Sequence, residues 1–257
     1  MRKITFLYIL LFAFTCSVFA QTSDRSPFNS TPVAGNTEAI WDLQFNYNIQ
    51  TFTTAGNAGV EFDGNSFWIT KWSVGGAANV MLRMNKDGTK RDSFAVGGYT
   101  GASGIRDLAF DGRYIYGGSA AGPNIVRIDT GTKAVVKTIV TTVGAGNVRA
   151  IAWDPGRKGF WVCGFAGNIV CVDTNGALIP GATITNTLAG KYGLAYDNAP
   201  GGPFLYAWDQ GSGAGTPQII YQYNLNTLIA TGVTFNVSTV ITDAAGIAGG
   251  LCVSSQI

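Results

Sequence analysis

The chain has 257 residues, of which only 12% are charged and 35 are glycine. Soluble domains usually contain about 25% charged residues and about 7% glycine, so this composition argues against a helix-rich protein and favours short strands joined by tight turns. The formal net charge of +2 gives no support for nucleic acid or an anionic membrane as a partner, because such binding needs clustered cations.

The first twenty residues have the pattern of a secretory signal peptide. Arg2 and Lys3 precede an apolar run from Ile4 to Phe14, and a small-residue cleavage pattern ends at residue 20. The run is shorter than the ~20 apolar residues of a membrane span, and no later segment is long enough, so no span is predicted. Cleavage before Gln21 would remove both cations and leave 15 cationic and 15 acidic residues. We therefore predict a secreted protein, located outside the cell, at its surface or in the periplasm.

Residues 21–40 are rich in Ser, Thr, Pro and Asn and lack periodicity, so they are predicted to form a linker. An internal repeat follows in residues 41–257. Its first element ends in an aromatic residue and an aspartate, and the four aspartates are spaced 48, 43 and 43 residues apart. The four matching segments are Gly59–Gly64, Asp107–Gly112, Ala150–Pro155 and Gly193–Asn198.

Each matching segment is followed by three more strand-like segments. The first is aromatic, the second ends in Asn or Asp, and the third is clearest at 133–140 and 233–240. Four short strands per repeat are typical of a blade of a β-propeller, in which each small sheet buries its faces against its neighbours. The predicted blades span about 59–103, 104–147, 148–192 and 193–246.

The two ends of the repeat region predict part of a fifth blade. Residues 43–52 resemble a fourth, outer strand, and residues 247–257 resemble a first, inner strand. The fold class predicted is therefore all-β, a five-bladed propeller whose fifth blade is incomplete and uses the N-terminal strand for closure. Two further strands would be needed for closure, so we hypothesise that the reading frame is truncated.

The blade pattern carries a family resemblance. Its aromatic-Asp-Gly turn and the run Asn124–Lys133 resemble the secreted bacterial propeller repeats grouped with the YVTN and NHL-like families. The chain is similar in particular to exported bacterial surface proteins that place such a propeller before a C-terminal sorting domain. The resemblance covers about Trp41 to Ile257 and implies blade geometry, not a particular chemistry. No sorting domain follows the propeller in this sequence.

The residue types present exclude several kinds of catalysis. The chain contains no histidine, which excludes Ser-His-Asp triads, Cys-His pairs and histidine-ligated zinc. Neither a metal site nor a cofactor is predicted. The four repeated aspartates are interpreted as turn caps, because a residue found in every blade usually stabilises the blade. They are Asp63, Asp111, Asp154 and Asp197.

Glu61 is the best single candidate for an acid or a ligand contact. It lies in the predicted inner strand of the first blade, where the other repeats have Ala109, Ala152 and Ala195. This break in the repeat places a carboxyl group near the axial channel. The alternative is a residue at the channel edge that is solvated by axial water.

A second set of candidates lies on the face formed by the loops between second and third strands and between successive blades. Arg106 and Arg149 occupy matching positions, so they are expected side by side at the channel mouth, where two guanidinium groups could hold a carboxylate or sulfate. The alternative is a pair of solvated arginines or partners of Asp107. The remaining candidates are Lys191 and two aromatic residues that could stack on a sugar or peptide, or could instead pack between blades: Trp72 and Trp208.

Three cysteines remain after the predicted cleavage, an odd number for an oxidising compartment. Cys163 and Cys171 flank a probable turn, so they either form a disulfide across one hairpin or are two small buried residues. The partner of Cys252 is not predicted.

The function predicted from these features is a non-catalytic secreted or cell-surface binding or scaffold module. Its ligand would be extracellular, such as a glycan or a peptide. The alternative is a propeller enzyme, similar to glutamine cyclotransferases or to lactonases and lyases, that uses Glu61 together with Arg106 or Lys191.

Overall fold

A computed structural model gives the structure of most of the repeat region. All described residues belong to the compact unit Asn36–Ile257. The predicted signal peptide and linker, and the candidate Trp72, lie outside the described residues. The described residues are 41–49, 52, 56–71, 79–101, 103–119, 122–142, 146–212, 216–240 and 249–254.

The described strands form four antiparallel sheets of four strands each, with the strands of each sheet in chain order. The first blade contains β1 (Asn57–Phe62), β2 (Ser66–Lys71), β3 (Val80–Asn85) and β4 (Lys90–Ala95). The second contains β5 (Ile105–Phe110), β6 (Tyr114–Ser119), β7 (Asn124–Asp129) and β8 (Val135–Val140). The third contains β9 (Ala150–Asp154), β10 (Gly159–Cys163), β11 (Ile169–Asp173) and β12 (Leu178–Ile184). The fourth contains β13 (Lys191–Asp197), β14 (Phe204–Asp209), β15 (Ile219–Asn224) and β16 (Ile229–Asn236).

The sheets are the blades of a β-propeller, which confirms the predicted all-β fold. The first strands of successive blades, β1, β5, β9 and β13, pack beside one another. Aromatic and aliphatic side chains fill the spaces between blades, and the largest of them, Trp68, Phe160 and Trp161, are fully buried. The last strands are the outermost and the most exposed, as Ile229 in β16 shows with 66% exposure. Among the described residues no helix is long or apolar enough to cross a bilayer.

Each repeated aspartate connects its turn to an aromatic side chain of the following strand. Asp63 Oδ1 accepts hydrogen bonds from the amides of Asn65 and Ser66, and its Oδ2 accepts one from Trp68 Nε1 at 2.6 Å. The predicted turn cap is therefore correct, and the same carboxylate also orients an aromatic ring. The equivalent contacts in the other blades are Asp111 with Tyr116, Asp154 with Trp161, and Asp197 with Tyr206.

The prediction of five blades is wrong, because the described residues form four. Residues 42–48 and 249–254 are not strands. As the outer and inner strands of a blade they would pair with a third and a second strand, and the described part of the chain provides neither. The two segments instead fill the space between the first and fourth blades. Trp41 stacks on Phe235 of the fourth blade at 4.9 Å, whereas Phe45 packs against the first blade.

Residues 249–254 take the position of an inner strand between β13 and β1. The amide of Gly250 donates a hydrogen bond to the carbonyl oxygen of Ala58. A Cβ added to Gly193 would lie 2.7 Å from the carbonyl oxygen of Gly249 and from the amide of Leu251, so the segment contacts β13 directly. The inner wall of the ring is thus continuous, although the described residues place no sheet behind one sector of it.

Cys163, Cys171 and Cys252 are free thiols in the structure. The register of β10 and β11 pairs Cys171 with Trp161 and Val162 with Val170, so Cys163 and Cys171 do not face each other. Both side chains are fully buried, which agrees with the alternative of two small buried residues.

Candidate functional site

The axis of the propeller is closed by one side chain, that of Asp107. The first position of the repeat is glycine or alanine in the other blades, and Asp107 alone has a longer side chain there. Its Oδ2 accepts hydrogen bonds from the amides of Ile151 in β9, at 2.9 Å, and of Leu194 in β13, at 3.0 Å. Its Oδ1 faces Gly250, where an added Cβ would lie 2.5 Å away. The carboxyl group therefore spans the axis.

Asp107 is fully buried, and this burial raises the pKa of its carboxyl well above the ordinary value, although the two amide hydrogen bonds act in the opposite direction. Sequence reasoning treated Asp107 only as a potential partner of the arginines. The signal that could have identified its role is the same one that identified Glu61, namely a break in a repeat position otherwise occupied by small residues.

A cavity of about 250 Å³ lies beside this plug, where the inner strands end. Its space arises because the third repeat position is small in most blades, with alanine in three of them and Cys252 in the unpaired segment. Glu61 is the exception and provides the only carboxyl group among the lining residues. The lining consists of Glu61, Phe62, Phe110, Ala152, Trp153, Pro155, Leu194, Ala195, Tyr196, Cys252, Val253 and Ser254.

The carboxyl group of Glu61 lies in the cavity wall and is partly buried. Its Oε1 accepts a hydrogen bond from the amide of Phe62 at 2.7 Å. Burial raises the pKa of Glu61 to about 8, while hydrogen bonds from the amides of Phe62 and Phe110 lower it and the charge of Asp63 raises it further. Near neutral pH the carboxyl group of Glu61 is therefore mostly protonated, and it is able to donate a hydrogen bond.

Four aromatic residues line the cavity, one from the end of each inner strand. They occupy the fourth repeat position, which precedes the repeated aspartate. Two of the rings pack against an aromatic ring of the adjacent strand. Phe62 contacts Phe67 at 5.0 Å between ring centres, and Trp153 contacts Phe160 at 4.9 Å. We call this set the axial aromatic residues, and it consists of Phe62, Phe110, Trp153 and Tyr196.

The predicted arginines lie at the opposite end of the inner strands. The guanidinium carbon of Arg149 is 3.7 Å from the centre of the Phe165 ring, and that ring lies 4.6 Å from the ring of Tyr192. Burial and the neighbouring charge of Arg149 lower the pKa of Arg106 to about 10, so the structure brings the two arginines together as expected. Whether they hold an anion stays a prediction.

Lys191 is fully buried and interacts with neutral oxygens. Its ammonium group donates hydrogen bonds to Asn186 Oδ1 at 2.6 Å and to the carbonyl oxygen of Phe165 at 3.1 Å. These contacts give it a role in joining loops. Trp208 is half-buried and packs against Ala195 and other apolar residues of the fourth blade, so stacking of Trp208 with a ligand stays a prediction.

Glu61 is not brought together with Arg106 or Lys191. Ala109 of the neighbouring blade occupies the repeat position of Glu61. Arg106 lies three positions before Ala109, which corresponds to about 10 Å along a strand. The carboxyl group of Asp107 lies between these two levels. Within the described ranges no group of three or more Cys, Asp or Glu side chains is placed to hold a metal ion.

Neither a family model nor a curated protein matches the sequence. The structure is similar to the glutaminyl cyclase of Myxococcus xanthus, with a TM-score of 0.57 and 14% identity over 79% of this chain and 83% of that one. It also matches a hydrazine synthase of Kuenenia stuttgartiensis, with a TM-score of 0.48 and 17% identity, and the protein U3-55K, with 0.48 and 11%. The matches cover 70% and 71% of this chain, but only 49% and 52% of those two chains, so this chain spans about half of their length. Identities this low show the fold alone.

Proposed function

We propose that this protein is a non-catalytic binding module that takes a small ligand, or one side chain of a larger ligand, into the axial cavity. The observation that carries this proposal is the position of Glu61, which provides the cavity's one carboxyl group at a repeat position that is alanine in the other blades. The repeated aspartates that cap the blade turns are present in every blade, whereas Glu61 is present in one.

The size of the cavity limits the ligand. Pockets for drug-sized molecules usually have volumes of about 300–1,000 Å³, and a cavity of about 150 Å³ holds benzene, so about 250 Å³ accommodates a group of about ten heavy atoms. An amino acid side chain or a small metabolite is therefore favoured over an oligosaccharide. The lining also contains neither lysine nor arginine, and Cys252 has a pKa raised well above its ordinary value by burial. The other acids and nucleophiles of the lining are the hydroxyl groups of Tyr196 and Ser254 and this thiol, and burial also raises the pKa of Tyr196, which disfavours its ionised form.

The proposal is tested by following thermal unfolding of the chain that begins at Gln21 with panels of amino acids, small amines, sugars and short peptides. Ala152→Met should fill the cavity and abolish the thermal shift of any specific ligand. Ala177→Met is the matched control, because Ala177 lies in an exposed turn outside the cavity. Ligands that stabilise both variants equally, or a panel without any stabilising compound, would contradict the proposal.

A second candidate is a propeller enzyme in which Glu61 acts as a general acid. The observation in its favour is the raised pKa of a carboxyl group enclosed in a cavity, which is common at catalytic sites. Because a glutaminyl cyclase shares the fold, peptides with N-terminal glutamine are the first substrates to test, followed by lactones. Turnover that is abolished in Glu61→Gln would replace the binding proposal with this one.

We also propose that the protein is exported. The support is the sequence pattern of the first twenty residues, which combines a basic start, an apolar run and a small-residue end. Expression with the native N-terminus in a bacterial host, followed by N-terminal sequencing of the extracellular and periplasmic fractions, should give a protein that begins at Gln21. Retention of the intact N-terminus in the cytoplasm would contradict export.

A further inference from the structure

We infer that the group bound in the axial cavity is an organic cation, such as a methylated or primary ammonium group. This inference rests on the proposed function and names the chemical class of the ligand. It is carried by two features of one site, the axial aromatic residues and the single carboxyl group of Glu61.

The first feature is that one aromatic residue from each blade lines the same cavity. An ammonium group is attracted to the face of an aromatic ring, and several rings around one cation are the usual means of recognising methylated ammonium groups. Phe62 already lies 5.1 Å from the ammonium nitrogen of Lys86, which does not line the cavity. The bound cation is therefore expected to contact mainly Phe110, Trp153 and Tyr196.

The second feature is the charge balance of the site. The groups around the Glu61 carboxyl are acidic or neutral. Asp63 and Asp107 interact with it electrostatically, and its charge contributes to the raised pKa of the Cys252 thiol. The lining contributes no cationic side chain. A positively charged ligand compensates an ionised Glu61, whereas an anion would be repelled by it.

Other ligand classes fit the lining less well. Sugars are held by several hydrogen bonds to their hydroxyl groups, but the polar side-chain groups of the lining are those of Glu61, Trp153, Tyr196, Cys252 and Ser254, of which the thiol is a weak hydrogen-bonding group. A purely apolar ligand would leave an ionised Glu61 without a countercharge, with only the amide hydrogen bonds from Phe62 and Phe110 to compensate its burial, which is unfavourable. An organic cation can interact with the aromatic residues and pair with the carboxyl group of Glu61.

The test compares ligands of the same shape and different charge by calorimetry at about pH 8.5, where Glu61 is largely ionised. Choline is compared with its neutral isostere 3,3-dimethylbutanol. A peptide with trimethyllysine is compared with the same peptide that has leucine at that position. Choline binding favours a free small cation as the ligand, whereas binding of the trimethyllysine peptide alone favours a side chain. In either case the cation should bind at least about tenfold more tightly than its neutral counterpart.

Variants separate the contributions of the two features. Glu61→Gln and Trp153→Leu should each weaken cation binding by about tenfold or more, and Tyr196→Leu replaces Trp153→Leu if the latter does not fold, as judged by circular dichroism. Phe94→Leu is the matched control, because Phe94 contacts the cationic groups of Arg83 and Lys133 away from the cavity. Its affinity should not change.

The outcomes distinguish the two proposals. If the neutral isostere binds as tightly as choline and Ala152→Met abolishes both, the cavity is a binding site but the cation inference is wrong. If a sugar or an anion is the ligand that Ala152→Met displaces, the inference is likewise wrong. If no compound binds to the cavity, both proposals fail.

Discussion

The Oδ2 atom of Asp107 in β5 lies 3.0 Å from the amide nitrogen of Leu194 in β13, a residue 87 positions later in the chain. The same oxygen accepts the amide hydrogen of Ile151 in β9. One carboxyl group thus links three of the four blades at the axis, and the stability of the ring depends on it.

Replacement of Asp107 by alanine should lower the free energy of unfolding by about 2–4 kcal/mol, because it leaves two buried amides without acceptors and opens a void. Asp107→Asn should lose less, about 1 kcal/mol, since its neutral side-chain oxygen can still accept from Ile151 and Leu194 and it resembles a protonated carboxyl. Urea unfolding followed by tryptophan fluorescence measures both. An alanine variant as stable as the parent would show that the axial link does not contribute.

Asp154 provides a second test of a buried carboxylate, in a blade turn. It is fully buried, and its Oδ2 accepts from Trp161 Nε1 at 3.0 Å and from Arg157 Nη1 at 2.9 Å. Asp154→Ala should reduce the free energy of unfolding by about 3 kcal/mol or more, because the Arg157 charge and the indole lose their acceptor. Asp111→Ala is the control at the same repeat position, and its effect should be smaller because Asp111 is only half-buried. Equal losses in the two variants would contradict this explanation.

The protonation of Glu61 should make stability depend on pH. Its pKa is 4.5 in the absence of burial and about 8 in the folded protein. Because the folded value is the higher one, the stabilising contribution of protonated Glu61 is complete below about pH 4.5 and is lost as the pH rises towards 8, by at most about 1.4 kcal/mol per pH unit. Glu61→Gln should therefore be as stable as the parent near pH 4.5 and more stable near pH 8.

Urea unfolding of the two proteins at both pH values gives this difference. Asp107, whose pKa is also raised, is present in both proteins, so the comparison reports the titration of Glu61 together with its electrostatic interaction with Asp107. A constant difference between the two proteins across this pH range would mean that Glu61 is ionised in the folded state as readily as in the unfolded one.

Cation binding to the axial cavity should also depend on pH, in the opposite direction. A bound cation favours ionised Glu61, so below a pKa of about 8 each binding event must release a proton. The affinity for choline should rise by at least about tenfold between about pH 6.5 and about pH 8.5, and calorimetry in buffers of different ionisation enthalpy should detect the released proton. Glu61→Gln should bind weakly and without this dependence, and a pH-independent affinity in the parent protein would exclude Glu61 as the countercharge.

The thiols should be unreactive in the folded protein. Burial raises the pKa of Cys163 and of Cys171 to about 12, and that of Cys252 well above its ordinary value. Iodoacetamide at about pH 8 should modify none of them before unfolding and all three in urea, as measured by mass spectrometry. Peptides joined through Cys163 and Cys171 under non-reducing conditions would contradict the free thiols.

The sequence predicted the blades because a repeat of four short strands leaves a strong signal in the spacing of turns and aromatic residues. It did not predict the number of blades, because residues 43–49 and 249–254 have strand-like composition, and only the absence of a neighbouring strand in the described structure shows that they remain unpaired. Strand pairing depends on partners distant in the chain, and composition does not report them.

The sequence predicted one part of the candidate site and missed another. Glu61 could be identified because it breaks a repeat position, and the same rule would have identified Asp107. The cavity itself could not be predicted, because its volume depends on how closely β13, β1 and the segment that contains Cys252 approach one another. The sequence also did not show that Asp107 separates Glu61 from Arg106.

The matching positions of the cavity residues have a consequence for how such a site can diverge. All four inner strands contribute the residue at the fourth repeat position and three of them also the residue at the third, and the strand pairing beside them uses only backbone atoms. A point mutation at one of these positions therefore alters one side of the ligand without disturbing the ladders that support the others. A protein with this plan could acquire a new specificity through independent single changes, one blade at a time, and the glutamate among alanines is an example of one such change.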